Sequence, residues 1–319
     1  MAPTGTIEVR PDLSVVIVSW NTQSMLRDCL ESLFDSGTRS TLEVFVVDNG
    51  STDGSPEMVE AAFPDVKLIR NNKNRGFAAA NNQALGVATG RHLLLLNSDT
   101  LVHHGVIDAS IDYLDRNPEV GVMGCRVLNA DGTVQTTCSQ FPTLSNLVLL
   151  TTGLFKVPGL SAAKRYRMDD WQRDDERDVD VVSGCYLMTR RDATEAVGLL
   201  DEDFFFFGEE TDWCRRFLAH GYAVRFAPVG TITHFGGGSS KSLNSKRDLM
   251  LSEATVRLHR KHGGLISAAA AWLILLAFNA SRYVYWTGKS LRERRSLDRR
   301  GHFQGVVAGF RAAWPRVKQ

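Results

Sequence analysis

Cysteine is sparse in this 319-residue chain: Cys29, Cys125, Cys138, Cys185 and Cys214 make an odd number and include no CxxC pair. That excludes a disulfide framework of the small secreted kind and a paired-cysteine zinc site, and it points to a reducing compartment. The first residues, MAPTGTIEVRPD, have no basic stretch followed by an apolar one. The expectation is therefore no export signal and a cytosolic main body. No GxGxxG follows the first apolar run and no GxxxxGKS/T occurs, so neither a dinucleotide fold nor a P-loop is signalled. Internal repeats and low-complexity tracts are also missing. The apolar stretch Ile266–Phe278 holds thirteen residues with one serine, short of the roughly 20 that a comfortable membrane span needs.

What is present is unevenly charged. From Arg282 onward ten Lys/Arg stand against Glu293 and Asp298, a balance of +8, which leaves −7 for the rest of a chain whose total is +1. Directly before this basic tail comes GLISAAAAWLILLAFNASRYVYW, with Trp272 and the cluster Tyr283, Tyr285 and Trp286. An apolar helix, interfacial aromatics and a basic block together suggest a helix lying in or dipping into an anionic membrane surface. The alternative is a core or homo-oligomer-interface helix with a solvated basic tail. Nothing in the tail matches a nucleic-acid module, so no nucleic-acid partner is expected.

The first part of the chain alternates strand and helix. LSVVIVS (Leu13–Ser19) is a β-branched apolar run of the kind buried on both faces. Asn21 or Thr22 can then cap a helix carrying Met25, Leu26, Cys29, Leu30 and Leu33 at helical spacing. Strands follow at 44–47, 67–70 and 92–96, and helices at 55–63, 77–87 and 107–114. Short connections between them imply an α/β fold with a mostly parallel sheet flanked by helices. Ligands in such sheets bind beyond the carboxyl ends of the strands. Here those ends are Trp20-Asn21, Asp48-Asn49, Asn71-Asn72 and Asn97-Ser98-Asp99.

Past Val120 the pattern changes. Residues 126–137 read as a hairpin around an Asp-Gly turn. The charge-rich stretch RYRMDDWQRDDERD reads as a surface loop, 179–189 as strand, 209–220 as a helix stopped by Gly221, and 222–226 as strand. HFGGGSSKS is a loop, and 246–262 an amphipathic helix leading to the apolar segment. Within this region FFFFGEETDW (Phe204–Trp213) sets the densest aromatic run against three acids. Acids in a first helical turn are favoured by the macrodipole whatever their function, and an Asp after a strand is commonly a turn residue.

The segments SVVIVSWN, VVDNGSTDGS, NRGFAAANNQAL, LLLLNSDT, VSGCYLMTRR, FFFFGEETDWCRR and ITHFGGGS occur in an order and spacing that resemble the family-2 glycosyltransferases of GT-A fold. The likeness covers about 13–241 and is strongest to the rhamnosyltransferase group that builds bacterial cell-surface polysaccharides. It implies a Rossmann-like GT-A domain over 1–245, with a nucleotide-sugar half at about 13–120 and an acceptor half at about 121–245. A helical C-terminal region, apolar then basic, would occupy 246–319.

The resemblance also implies roles. Asp99 matches the second acid of the DxD-type motif and His234 the histidine that completes the metal and diphosphate site, with Mg²⁺ or Mn²⁺ as the cation suited to oxygen ligands. Asn97 stands where many relatives have the first acid, which leaves one carboxylate fewer for the metal. Asp48 matches the residue that receives hydrogen bonds from the base, while it can also begin the DNGS turn. Ser19, Trp20, Asn21, Asn49, Ser98, Arg75 and Gly76 would line the nucleotide-sugar site, Arg75 pairing with phosphate or with a surface acid. Gly236, Ser239 and Lys241 would form the diphosphate loop, with backbone N–H groups free to approach. Gly184, Asp212 and Trp213 would face the acceptor. Glu209-Glu210 matches the paired-acid motif whose second member is the general base of an inverting transfer, so Glu210 is the expected base, with Glu209 the alternative.

The implied partners are a nucleoside diphosphate sugar, dTDP-L-rhamnose first and a UDP-hexose or galactofuranose donor second, and a lipid-linked glycan acceptor at the cytoplasmic face of the inner membrane. Two competitors come from other classes. A nucleotidyltransferase would want a glycine-rich basic loop where SWNTQSM stands, and a non-catalytic glycan-binding protein would not need to keep Glu209, Glu210, Asp99 and His234 together.

Overall fold

The computed structural model describes residues 10–153, 168, 171–237 and 244–315. Its centre is a nine-stranded sheet. Strands β1 (Leu13–Ser19), β2 (Leu42–Asp48), β3 (Lys67–Arg70) and β4 (His92–Asn97) pair in parallel in the order 3-2-1-4. In β1, Leu13, Val15 and Ile17 enter one apolar cluster and Val16 the other, so the near-continuous apolar run has a place for every side chain. Each fully buried aliphatic contributes about 1.5–3 kcal/mol relative to exposure. Helices α1 (Gln23–Phe34) and α4 (Val106–Arg116) cover the first face, and α3 (Phe77–Leu85) lies on the second. Between α1 and α3 in sequence lies α2 (Ser55–Ala62), whose buried Met58 and Val59 join the first cluster.

Beyond β4 the sheet becomes mixed. β10 (Tyr186–Arg190) runs antiparallel to β4 and to β6 (Val120–Leu128); β11 (Ala223–His234) is parallel to β6 and antiparallel to β5 (Thr100–Val102) and to β8 (Arg177–Asp178). A separate pair joins β7 (Cys138–Ser139) to β9 (Val181–Val182). The β11–β5 register sets His234 opposite Thr100, and this brings a histidine 135 positions on back to the Asn97-Ser98-Asp99 strand end.

Several local expectations need correction. The strand expected at 222–226 continues to His234, accommodated by a register shift between Phe226 and Thr231. The 126–137 hairpin reduces to one bridge, Leu128 to Val134. The strand expected at 179–189 is broken at Ser183-Gly184, where the chain turns into the cleft. Part of the charge-rich stretch is not surface loop: Trp171 packs edge-on against Phe226 and Arg173 is buried, donating to the carbonyls of Trp171 and Cys138.

Five further α-helices follow among the described residues: α5 (Leu144–Thr152), α6 (Arg191–Val197), α7 (Glu209–Ala219), α8 (Asn244–Ser290) and α9 (Leu297–Gly309). α8 is two helices merged across a kink at Gly264, whose φ of 77° and ψ of −174° are non-helical. Its first half docks on the α/β body through Arg257–Asp203, Lys261–Asp201 and Lys261–Asp212 pairs. The second half carries the apolar segment. By length and composition this helix could cross a membrane, and only 17% of its most apolar window is buried, whereas a core helix would be mostly covered. Leu265, Ile266, Leu273, Val284 and Tyr285 are exposed.

Candidate active site

Two adjoining cavities open at the carboxyl ends of β1, β2 and β4. The nucleotide-side cavity, about 300 Å³, is walled by Val18, Trp20, Asn49, Asn74, Ser98 and Asp99, with Lys246 and Met250 arriving from α8. The acid-side cavity, about 700 Å³, holds Glu209, Glu210, His234, Gln135, Gly184 and Gly236, with Arg247, Asp248 and His302 from the C-terminal helices. Phe77, Asn97, Phe206 and Gly237 line both, so a ligand at this junction would touch both halves.

On the nucleotide side the side chains are pre-arranged by bonds to one another. Ser19, Thr22 and Ser98 form a buried hydroxyl chain with 3.0 Å links. Asp48 is 3% exposed; its Oδ2 accepts from the amides of Gly50 and Ser51, which is the turn role, while Oδ1 is buried with no partner among the described residues. A buried carboxylate oxygen left without a donor is costly, and it marks a place where an N–H from a ligand would be received. Asn49 spends its amide internally, donating to Asn74 and Gly76 and accepting from the Arg75 amide, so it builds the 74–76 turn and offers the cavity only its flank.

Two expected nucleotide-site residues stand elsewhere. Asn21, at φ 53°, accepts from the Thr52 amide and is exposed, tying β1 to the loop after β2. Arg75 is exposed, lines neither cavity and has no ion pair among the described residues. Gly76 is required for a close approach: at φ +88° it faces the Phe205 carbonyl, which an added Cβ would meet at 2.4 Å and which accepts the Phe77 amide at 2.8 Å. The phenylalanine loop is thus seated on the N-terminus of α3.

That seating explains the aromatic run. Phe204 is buried against α8, Phe205 lines the nucleotide side, and Phe206 and Phe207 line the acid side. Phe207 at φ 70° and Gly208 at φ 86° put two consecutive left-handed residues at the end of the loop, a conformation disfavoured for a bulky side chain. The turn swings the first residues of α7 into the cavity. Glu209 is 4% exposed and its Oε2 has no partner. Burial, and then the Glu210 charge, push its carboxyl well above the ordinary glutamate range. Glu210 is half-buried, and burial raises it as well. Both therefore resist ionisation although a helix N-terminus favours negative charge, and the pair titrates together.

Because the folded state holds the Glu209 proton more tightly than the unfolded chain does, stability falls as pH rises from the ordinary glutamate value through the raised folded value. Glu209→Gln removes that loss. A melting temperature roughly 2–4 °C above wild type at pH 7.5 is expected, with the gain fading toward pH 4; a lower melting temperature at pH 7.5 would contradict the burial-driven shift.

The other acids next to this pair act differently. Asp212 is fully buried and held by Arg216 at 2.9 Å, Lys261 at 2.8 Å and His262 at 2.8 Å. Trp213 is fully buried, donating to the Gly198 carbonyl and packing on Phe217. Neither faces the cleft, because successive helical residues turn through about 100°. The expected acceptor-side role for these two is corrected to anchoring α7.

At the junction, His234 Nε2 lies 3.2 Å from Asp99 Oδ1 and 3.2 Å from Asn97 Nδ2, while Nδ1 lies 2.7 Å from Gln135 Oε1. Gln135 Nε2 donates to Asn129 Oδ1 and to the His234 carbonyl. This fixes its carbonyl oxygen toward the imidazole and so places the ring proton on Nδ1. Nε2 is thereby turned to the Asn97 amide and the Asp99 carboxylate, which sets one imidazole nitrogen and one carboxylate oxygen 3.2 Å apart at the junction. The donor set of one carboxylate oxygen and one imidazole nitrogen fits a divalent cation. Among the described residues no group of three or more His, Cys, Asp or Glu side chains could hold a metal.

Gly236 and Gly237, at φ 71° and 76°, follow His234 at the cleft. Ser239 and Lys241 lie outside the described residues. The composition of the chain gave no signal for Gln135, Lys246, Arg247, Asp248 or His302, which reach the cleft from distant segments; His302 bonds Asp248 at 2.8 Å.

Comparison with known proteins bears on this geometry. A family model described as "Glycosyl transferase family 2" matches residues 14–198. The N-acetylglucosaminyl-diphospho-decaprenol L-rhamnosyltransferase of Mycobacterium tuberculosis (strain ATCC 25618 / H37Rv) is 29% identical over 241 residues, 70% of this chain and 75% of that protein. O-antigen biosynthesis protein RfbC of Myxococcus xanthus is 27% identical over 77% of this chain, which spans only 19% of that longer protein. Among solved structures, mannosyltransferase PcManGT from Pyrobaculum calidifontis in complex with GDP-Man and Mn²⁺ aligns with a TM-score of 0.54 over 96% of this chain and 86% of its own, at 18% identity. GalNAc-T7 with UDP, GalNAc and Mn²⁺ aligns at 0.57 over 79% and 48%, at 17% identity. At those identities the likeness of the two structures is one of fold.

Proposed function

Since the chain belongs to glycosyl transferase family 2 and has the GT-A fold, we propose that it transfers L-rhamnose from dTDP-L-rhamnose, with inversion, to a lipid-linked glycan acceptor at the cytoplasmic face of the membrane. The observation that carries this reading is the shared wall of the two cavities, which joins Asp99 in one to Glu210 in the other, with His234, 3.2 Å from Asp99, lining the Glu210 side. The rhamnosyl and lipid-linked parts rest on the relative whose name states both.

In this mechanism the unpartnered Asp48 Oδ1 receives an N–H of the base, and Trp20 and Ser98 shape the pocket around it. Asp99 and His234 would hold Mg²⁺ or Mn²⁺, which when bound supplies charge neutralisation to the departing diphosphate. Lys246 adds a positive charge to the same cavity, and Gly236 and Gly237 let backbone approach the phosphates. Glu210, ionised before Glu209, takes the proton of the acceptor hydroxyl as its oxygen bonds to the anomeric carbon. The bond to the diphosphate oxygen breaks on the opposite face and its electron pair leaves with the nucleotide. Residues 1–245 act as the transferase domain. The region 246–319 serves as membrane-associating helices that also supply part of the cleft wall; its exposed apolar side chains and basic tail support that role.

The reading is tested by incubating the protein with dTDP-L-rhamnose, Mn²⁺ and bacterial lipid-linked glycan acceptors, then determining the anomeric configuration of the product by NMR. A rhamnosyl linkage opposite in configuration to the donor is expected; a retained configuration would remove the single-displacement mechanism. A second expectation concerns Gln135. Gln135→Leu removes the acceptor that fixes the His234 tautomer, and Mn²⁺ affinity in the presence of donor should fall about 10–100-fold. Calorimetry with unchanged Mn²⁺ affinity would reduce Gln135 to a packing role.

A further inference from the structure

A third cavity, of about 360 Å³, lies apart from the cleft, on another face of α7. Thr211 and Arg215, one helical turn apart, form one wall; Leu258, His259 and His262 on α8 form another; Phe141 to Ser145, leading into α5, close it; and Gly263 and Ser267 stand at the kink. Its chemistry is that of an anion site. Arg215 is half-buried, stacks 5.1 Å from the Phe141 ring centroid and has no ion pair among the described residues. His259 is 7% exposed; its Nδ1 meets the Ser267 hydroxyl at 2.9 Å, while Nε2 is buried with no partner. In the tautomer in which the Ser267 hydroxyl donates to Nδ1, Nε2 carries the ring proton as a buried donor with no acceptor among the described residues.

The N-terminus of α5 supplies the remaining donors. Thr143 caps it by accepting from the Asn146 amide at 3.1 Å. The amides of Leu144 and Ser145, in the first turn, are beyond the reach of the helix's own carbonyls and favour a negative group. Asp212, the carboxylate that His262 contacts, is already matched by Arg216 and Lys261, so the positive charge of Arg215 is not cancelled by it.

We propose that this cavity, framed by Arg215, His259 and the first turn of α5, binds a phosphate group. Its position adds a source. Gly263 is followed within three residues by Leu265 and Ile266, 61% and 87% exposed, so the cavity adjoins the start of the apolar face. A phosphate carried by an anionic lipid would reach it as that face meets the membrane, and soluble phosphate is the other source.

The test uses the full chain and three variants, Arg215→Gln, His259→Gln and, as a charge-matched control in the basic tail, Arg300→Gln. Inorganic phosphate is titrated calorimetrically at low ionic strength, and binding to phosphatidylglycerol vesicles is read by flotation with and without added phosphate. Loss of a charge-assisted bond predicts about tenfold weaker phosphate binding in Arg215→Gln and in His259→Gln, with Arg300→Gln like wild type. Vesicle binding that falls in the two cavity variants more than in the control, and is competed by phosphate, assigns the group to lipid. Vesicle binding that falls no further than in the control, with phosphate binding still lost, assigns it to a soluble ligand. Phosphate binding that is absent in wild type, or equal in all four proteins, overturns the site. Should one cavity variant fail to fold, judged by its melting curve, the other decides. None of these readouts depends on which sugar is transferred.

Discussion

Glu210→Gln is expected to lower kcat by about 10²–10⁴ while donor affinity stays within about twofold of wild type. The substitution keeps the size of the side chain and removes its capacity to take a proton from the acceptor hydroxyl. Two observations favour Glu210 over its neighbour. Glu209 is nearly enclosed, with one carboxyl oxygen unpartnered, and burial together with the Glu210 charge holds its proton strongly. Glu210 is half-buried, lines the cavity and is raised by burial, so the first negative charge of the pair resides on it. The acid limb of kcat/KM in the wild type should accordingly lie above the ordinary glutamate range, with activity rising as pH climbs through the raised value. If Glu209→Gln abolishes transfer and Glu210→Gln retains it, the assignments of the two are exchanged.

Asp99→Asn is expected to abolish the strengthening of donor binding by Mn²⁺ and to reduce kcat/KM by about 10²–10³, the order found when one stabiliser of developing negative charge is removed. The change should leave the fold intact. His234 Nε2 stands 3.2 Å from Asp99 Oδ1 with its ring proton held on the Gln135 side, and an amide there could donate to the imidazole where the carboxylate cannot. A melting temperature equal to or above that of wild type, together with a lost metal response, is therefore the expected signature. An unchanged metal response would remove Asp99 from the cation site.

The parallel part of the fold, from β1 to β4, was legible in the sequence for a simple reason. Runs such as Val15–Val18 and Leu93–Leu96 are continuously apolar because both sheet faces are covered, and short connections force their strands parallel. Their carboxyl ends then mark the site without further information. The mixed part of the sheet, past β4, was less legible. β11 runs on to His234 through polar and glycine positions that do not read as strand, held by pairing to β6 and β5 rather than by its own propensity.

Within the site, what misled was adjacency in sequence. Asp212 and Trp213 come two and three residues after Glu210, yet helical rotation turns one into an ion-pair hub and the other into the core. Asn21 and Asn49 lie at strand ends where ligands bind, but their amides are used to hold loops. The residues with no signal at all, Gln135 and His302 among them, reach the cleft through contacts 99 and 54 positions apart in the chain. Such contacts are created by the fold, and no local pattern encodes them.

The most direct measurement is calorimetric titration of the full chain with dTDP-L-rhamnose, UDP-galactofuranose, UDP-glucose and GDP-mannose, each with and without Mn²⁺. Binding of dTDP-L-rhamnose alone, at least tenfold tighter with Mn²⁺, is the result expected of a rhamnosyl donor held across Asp99, His234 and the Asp48 pocket. Equal affinity for dTDP-L-rhamnose with and without the metal, or metal-dependent binding of a different donor, would contradict it.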